Sequence, residues 1–145
     1  MNDVTGFFQA AESELSERFL KDGYVVMAVE NLGNLEQIRA MVVASAATWL
    51  GVESGEPGQF LNSIHEQIAV ERLNDLRLNA IEKINAESSL RPKYYSLARE
   101  SLAMLVGNEL AMQMRLNLSI QLPGDDSSLL PIHADVWSGD SPFEV

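Results

Sequence analysis

The clearest pattern of apolar and polar residues lies near the carboxyl-terminal end of the sequence, in Met112–Leu122. The even-numbered positions are methionine, leucine or isoleucine, and the odd-numbered positions are glutamine, arginine, asparagine or serine. Because side chains alternate between the two faces of an extended chain, this pattern predicts a β-strand with one apolar and one polar face. The polar face, which includes Asn117 and Gln121, either lies in water at the surface or lines a cavity inside a barrel.

The chain before this stretch has the spacing of apolar residues that is typical of helices. Phe8, Ala11, Leu15 and Phe19 recur every three or four residues and predict one buried stripe on a first helix. The predicted helices run from Asp3 or Thr5 to about Lys21, over Leu35–Leu50, over Gln59–Ala86 with or without a bend near Glu71, and from Lys93 to about Leu105.

Local signals mark where these elements begin and end. Gly23 predicts the end of the first helix. The apolar segment Tyr24–Val29 is rich in residues that favour strands, and it predicts a short strand. Asn34, with Gln37 three residues later, matches the capping box and predicts a helix that begins at Leu35.

A histidine and an aspartate follow the alternating stretch, after a turn and loop predicted over Pro123–Pro131, which opens with Pro-Gly-Asp-Asp. Residues i and i+2 of an extended segment share a face, so His133 and Asp135 point the same way if a strand begins there. An imidazole and a carboxylate side by side bind a divalent metal ion, and one further imidazole would complete the facial triad that holds iron(II). The ordinary alternative for such a pair is a hydrogen bond between the two side chains.

The run LSIQLPGDDSSLLPIHADVWSGDSPFEV, which ends at Val145, resembles the strand, loop and metal-binding segment of the non-haem iron(II), 2-oxoglutarate-dependent oxygenases. It is most similar to the phytanoyl-CoA dioxygenase-like branch, and within it to enzymes associated with bacterial carbohydrate and polysaccharide biosynthesis. A first helix followed by Asp-Gly-Tyr-Val-Val is also a common opening in this family. The resemblance covers the whole chain loosely and Asn117–Val145 specifically.

This resemblance implies that His133 and Asp135 are the first two iron ligands, and that Asn117 and Gln121 contact the cofactor or the substrate. The implied cofactors are iron(II) and 2-oxoglutarate, and the implied reaction hydroxylates a small metabolite or a sugar-linked substrate. The family also needs a distal histidine and a basic residue that holds 2-oxoglutarate, and both lie well beyond the His-x-Asp pair. His65, in a predicted helix, looks like a poor substitute, so we expect this chain to be the N-terminal portion of such an enzyme and inactive alone.

The order of the predicted elements, helices first and strands last, predicts the α+β fold class. We expect a single domain that covers residues 1–145. A helical layer in residues 1–107 would support the opening strands of a double-stranded β-helix barrel, of the jelly-roll or cupin-like kind, in residues 108–145. That barrel would be truncated within this chain. A strand left without a neighbour seeks one, so the expected partner is a second copy of the chain or another polypeptide that pairs with the C-terminal strands.

Composition and charge limit the classes of protein and of partner that fit this sequence. A chain of 145 residues with 46% apolar content suits one globular domain with a core. The net charge of −11 argues against nucleic acid and anionic membranes as partners. The first residues, MNDVTGFF, lack the layout of a signal peptide and no apolar run reaches the length of a membrane span, so we expect a cytoplasmic protein. The absence of cysteine excludes disulfides and thiolate metal sites.

Two functions stay open at this point. The first is the oxygenase, in which His133 and Asp135 bind iron(II). The second is a non-catalytic helical interaction or scaffold protein of α+β class, in which the same two side chains are only a hydrogen-bonded surface pair. A hydrolase that uses carboxylates and His133 has little support, because the sequence contains no serine or cysteine nucleophile motif.

Overall fold

Helices make up 64% of the residues that the computed structural model describes, which are residues 10–107 and 110–124. The described helices are α1 (Ala10–Asp22), α2 (Leu32–Leu50), α3 (Pro57–Asn62), α4 (Val70–Ala86), α5 (Leu90–Tyr95) and α6 (Arg99–Val106), with a 3₁₀ turn at Ile64–Glu66. Helix α2 packs against α3, α4 and α5, whereas α1 packs against α6. Helix α2 is therefore the centre of the helical layer.

Both ends of α2 are fixed by residues of its own sequence. The Asn34 N–H donates a hydrogen bond of 2.9 Å to Asn31 Oδ1, so Asn31 is the cap and the helix begins one turn before the predicted Leu35. Gly51 ends the helix with φ 71°, a left-handed conformation that costs glycine no steric strain. Small side chains on α2 allow its neighbours to approach closely, and its buried residues are Val43, Ser45, Ala46 and Ala47.

The predicted helix over Gln59–Ala86 is interrupted, because residues 67–69 separate the 3₁₀ turn from α4. Glu56 caps α3 by accepting hydrogen bonds from the Gly58 N–H at 2.9 Å and the Gln59 N–H at 2.6 Å. These bonds favour the charged carboxylate and lower the pKa of Glu56 from its ordinary 4.5. The pieces on both sides of the interruption reach one core, whose buried members are Val43, Ala46, Ala47, Phe60, Ile64, Ile68 and Leu76.

The first helix follows its prediction in part. Gly23, with φ 78°, ends α1 as predicted, and its N–H donates to the Phe19 carbonyl at 2.8 Å. Leu15 is buried, but Ala11 is exposed and Phe19 is 39% exposed, so the predicted buried stripe is wrong at both positions. Phe8, the remaining member of that stripe, lies outside the described residues.

The segment Tyr24–Val29 is not a strand, although its residues favour one. Tyr24 is 67% exposed and Val26 is 78% exposed. The first backbone hydrogen bond after this segment joins the Glu30 N–H to the Leu97 carbonyl at 3.1 Å. Strand propensity alone does not make a strand here, because the described residues offer this segment no neighbouring strand.

The predicted helix over 93–105 is two helices, α5 and α6. Pro92 lies in the first turn of α5, where a missing N–H costs nothing. Glu30, which is distant in the sequence, caps α6: its carboxylate accepts hydrogen bonds from the Ser101 hydroxyl at 2.7 Å, the Ser101 N–H at 2.8 Å and the Glu100 N–H at 3.1 Å. These hydrogen bonds join Glu30, which lies just before the cap of α2, to the N-terminal turn of α6.

The predicted α+β fold class is wrong for the described residues, which are all-α. No β-strand is present in residues 10–107 or 110–124, so the predicted strand Met112–Leu122 and the opening of a jelly-roll barrel are not observed there. Alternating residues define two faces, but a strand also needs a neighbouring backbone to receive its hydrogen bonds. Among the described helices, none has the length and apolar character needed to cross a membrane.

Candidate functional site

Residues 116–122 lie along the helical layer with one face toward it. Burial alternates along this segment, as it does in an extended chain. Half-buried positions are Leu116, Leu118, Ile120 and Leu122, and exposed positions are Asn117, Ser119 and Gln121. The predicted division into an apolar and a polar face is therefore present over these residues, although the predicted strand is not. Before them the pattern fails, since Met114 is 77% exposed.

The side chain of Asn85, near the end of α4, fastens the start of this segment. The Leu116 N–H donates to Asn85 Oδ1 at 2.9 Å, and Asn85 Nδ2 donates to the Leu116 carbonyl at 2.9 Å. Asn85 Nδ2 also donates to the Ile81 carbonyl at 2.8 Å, which fixes the orientation of the amide. One side chain thus satisfies both backbone groups of Leu116, as a residue on a neighbouring strand would.

The apolar face of the segment lies over a pocket of about 260 Å³ in the helical layer. Ile120 packs against the core cluster, and Leu118 lines the same pocket. Complete burial of a leucine or isoleucine contributes about 1.5–3 kcal/mol, so a half-buried one contributes about half of that. The apolar residues that face them from the helices are Val42, Ala46, Leu61, Ile64, Leu76 and Ala80.

Asn117 and Gln121, the two predicted contacts to cofactor or substrate, lie on the exposed face of the segment. Neither amide has a hydrogen-bond partner among the described residues, and both side chains are exposed. Four residues of extended chain span about 14 Å, so the two amides do not converge on one small group. They would contact the two ends of a larger ligand, or two different ligands.

An open groove of about 540 Å³ lies between α4 and residues 113–117. Arg77 and Arg115 line this groove together with Asn117. Both Arg77 Nε and Nη2 donate to Asn74 Oδ1, at 3.2 and 2.9 Å, and this holds the guanidinium group in place. Two guanidinium groups beside an amide suit a carboxylate or a phosphate, and they concentrate positive charge in a chain whose net charge is −11.

The predicted iron ligands His133 and Asp135 lie outside the described residues. The last described residue, Gly124, lies in the predicted turn and has φ 74°. His65 is partly exposed, as predicted, and its Nε2 lies 3.9 Å from Glu66 Oε1. In the part of the chain that the structure describes, no three histidine, cysteine, aspartate or glutamate side chains are grouped so that they could hold a metal ion.

No protein-family model matches this chain, and no curated protein or solved structure matches it either. The functional assignment therefore rests on the segment 116–122, the groove beside it and the His-x-Asp pair that follows.

Two residues of this site could not be found from the sequence. Asn85 is an unremarkable polar residue near a helix end, and its partner Leu116 lies 31 positions later. Arg77 likewise looks like an ordinary solvated residue of a helix, and only the fold places it beside Arg115. The spacing of apolar residues shows which face of a helix or strand is buried, but it does not show which other segment covers that face. A contact between a helix and a distant extended segment therefore cannot be predicted from the spacing in either one.

Proposed function

We propose that this chain forms part of an iron(II)- and 2-oxoglutarate-dependent oxygenase in which His133 and Asp135 bind the metal ion. The observation that supports this proposal most is the way residues 116–122 lie on the helices. The segment 116–122 is fastened to the helical layer by its apolar face and by Asn85, and it presents amide and hydroxyl groups outward. In the sequence, this polar surface comes directly before the predicted loop that leads to the His-x-Asp pair.

The donor set fits iron(II). A neutral imidazole nitrogen from His133 and a carboxylate oxygen from Asp135 are ligands that this metal accepts, and the carboxylate offsets part of the metal charge. A facial triad needs one more ligand, which these two residues do not provide. When bound, iron(II) together with 2-oxoglutarate supplies the oxygen-dependent hydroxylation of a C–H bond.

The described residues have a separate task in this proposal, which is to bind and orient the organic ligands. Asn117 and Gln121 offer amide donors and acceptors along an exposed face. Arg77 and Arg115 offer guanidinium groups that suit a substrate with a carboxylate or phosphate. A sugar phosphate or a carrier-linked metabolite has this chemistry, and we propose a substrate of that class.

Calorimetric titration of the full chain with manganese(II), a redox-stable substitute for iron(II), tests the proposal. We expect binding that becomes tighter when 2-oxoglutarate is present. Loss of an outer-shell partner already weakens metal affinity by about 10–100-fold, so His133→Ala should weaken it by at least that much. His65→Ala is the matched control, since it removes the remaining histidine of the chain and should leave binding unchanged.

Two results would contradict the assignment. One is the absence of any manganese(II) binding that 2-oxoglutarate strengthens. The other is equal binding by the His133→Ala variant and the unchanged chain, which would place the metal elsewhere.

The all-α architecture of the described residues favours a second candidate, a non-catalytic helical interaction protein. In that case His133 and Asp135 only bond to each other, and neither metal nor 2-oxoglutarate affects the chain. Thermal unfolding with and without manganese(II) separates the candidates, because a ligand that binds only the folded state raises its stability. For both candidates we propose a cytoplasmic location, which cell fractionation would test.

A further inference from the structure

The segment 116–122 has an edge that lacks backbone partners in the described part of the chain. No backbone hydrogen bond joins it to another described backbone. In an extended chain, both backbone groups of one residue point to the same edge, and successive residues point to opposite edges. Because Asn85 occupies the edge toward which Leu116 points, the backbone groups of Asn117, Ser119 and Gln121 point to the other edge.

This edge carries none of the features that usually prevent pairing. Natural edge strands are protected by charged side chains or by proline, and a short uncharged segment without proline or glycine pairs readily. The sequence of residues 116–122, Leu-Asn-Leu-Ser-Ile-Gln-Leu, contains no charge, no proline and no glycine. This is notable in a chain with 21 acidic and 10 basic residues.

The same sequence has the chemical symmetry of a palindrome around Ser119. Leu116 corresponds to Leu122, Asn117 to Gln121, and Leu118 to Ile120. Interfaces between identical chains related by a two-fold axis must be self-complementary. When this segment runs antiparallel to a copy of itself with Ser119 opposite Ser119, every side chain faces one of its own kind.

We propose that two copies of this chain associate through residues 116–122, as antiparallel segments with the two-fold axis at Ser119. In this register the backbone groups of Asn117, Ser119 and Gln121 face the partner copy and form about six hydrogen bonds across the axis. On the exposed face, each asparagine lies beside a glutamine and can bond to it, and no like charges meet. The apolar face of each copy stays on its own helices. The proposal does not depend on the iron site, because no residue beyond 122 takes part.

The absence of cysteine from the chain allows a direct test by oxidative cross-linking of single-cysteine variants. The Cα atoms of a directly opposed pair lie about 5.5 Å apart, which a disulfide bridges, so Ser119→Cys should give a covalent dimer. Asn117→Cys is the matched control, because residue 117 and its own copy would be about 14 Å apart in this register. We expect Ser119→Cys to cross-link about tenfold faster than Asn117→Cys, since only the former pair is within bridging distance.

A mixture of Asn117→Cys and Gln121→Cys chains provides a second check of the register. These positions are opposite each other, so the mixture should give a heterodimer, while each variant alone should not cross-link. Equal cross-linking of Asn117→Cys and Ser119→Cys would overturn the antiparallel register, since a parallel in-register pair brings both positions together. Absence of cross-linking above the control in every case would overturn the proposal altogether.

Sedimentation of the cysteine-free chain gives independent evidence. We expect a reversible monomer–dimer equilibrium that Ser119→Pro abolishes, because proline has no N–H to donate at the centre of the pairing. Gln113→Pro, which lies outside the paired residues, is the control and should leave the equilibrium unchanged. Far-ultraviolet circular dichroism verifies that the helices of both variants are intact. A chain that stays monomeric at all concentrations, or a dimer that Ser119→Pro leaves unaffected, would contradict the proposal.

Discussion

Asn85 connects the helical layer to the segment on which both proposals depend. Its amide makes three hydrogen bonds, two of them to the backbone of Leu116. Replacement by alanine leaves the Leu116 N–H and carbonyl without these partners. A half-buried polar group that loses its bond costs about 1–3 kcal/mol, and water recovers part of this at a half-exposed site.

We therefore predict that Asn85→Ala lowers the free energy of unfolding by about 1–2 kcal/mol, as measured by urea denaturation. Hydrogen exchange of the Leu116 amide should accelerate at the same time, because the segment detaches more often. Asn79→Ala on the same helix is the control, since Asn79 makes no hydrogen bond to any described residue. An equal effect of both substitutions would show that the Asn85 bonds do not hold the segment.

The ionisation of Glu30 is coupled to the fold through the cap of α6. The hydrogen bond from the Ser101 hydroxyl lowers the pKa of Glu30 from its ordinary 4.5. Burial opposes this effect, and the N–H groups of Ser101 and Glu100 lower the pKa further. A carboxyl group whose pKa is lower in the folded state stabilises the fold above its unfolded pKa. That contribution is lost as the pH falls from 4.5 through the lower folded pKa.

We predict that Glu30→Gln lowers stability by about 0.5 kcal/mol at neutral pH, a small amount because the carboxylate is exposed to solvent. The difference from the unchanged chain should disappear at acidic pH, where Glu30 is protonated. Urea denaturation over a series of pH values measures it, with the exposed Glu53→Gln as the control. A difference that persists unchanged in acid would contradict the role of the charged cap.

At the scale of elements, the end of α2 depends on one glycine. Gly51 has φ 71°, and its N–H donates to the Ala47 carbonyl at 2.9 Å. A side chain at that φ costs about 1–2 kcal/mol, because its Cβ meets the backbone carbonyl oxygen. We predict that Gly51→Ala destabilises the protein by about this amount in urea denaturation.

Gly55, in the same connection, is the matched comparison. Its φ lies outside the left-handed region and a Cβ there would meet no atom within 4 Å. Gly55→Ala should therefore be neutral or stabilise slightly, since it reduces the freedom of the unfolded chain. A destabilisation by Gly55→Ala as large as that by Gly51→Ala would indicate that the backbone conformation is not the cause.

The sequence was informative about helices and poorly informative about strands, for a physical reason. Helix α2 and the end of α1 were predicted because their signals are local: apolar spacing and a terminal glycine. The predicted cap at Asn34 was wrong, because the Asn31 side chain accepts a hydrogen bond from the Asn34 N–H.

The sequence predicts either one continuous helix over Gln59–Ala86 or a bend near Glu71, and the interruption lies close to that bend, at residues 67–69. The spacing alone does not decide between them, because the apolar residues on both sides of the interruption suit one core. The predicted strand Tyr24–Val29 was wrong, because strand formation depends on a neighbouring segment that propensity does not supply.

In the candidate site too, features that depend on neighbouring residues in the sequence could be predicted, and contacts between distant residues could not. The two faces of residues 116–122 could be predicted, because burial follows alternation. Asn85, Arg77 and the pocket beneath Ile120 could not, because each depends on how α4 lies against the segment. The roles of His133 and Asp135 stay predictions, since both residues lie outside the described part of the chain.

At the scale of the whole molecule, the described chain consists of a helical layer centred on α2 and a two-faced segment laid upon it. The layer half-buries the apolar face of residues 116–122, and within residues 10–107 and 110–124 the polar face is exposed and one backbone edge has no backbone partner. The oxygenase proposal uses the exposed face, whereas the dimer proposal uses the backbone edge and also pairs Asn117 with Gln121 on that face. Both therefore require the segment to lie in this orientation.

Thiol accessibility along the segment tests that orientation most directly, because the chain has no other cysteine. Single cysteines at Leu118, Ser119, Ile120 and Gln121 should react with a thiol reagent in an alternating pattern at low protein concentration. We predict that the cysteines at 119 and 121 react about tenfold faster than those at 118 and 120, whose half-buried side chains face the helices and become fully accessible only when the segment detaches. Equal rates at all four positions, or the reverse alternation, would contradict the account.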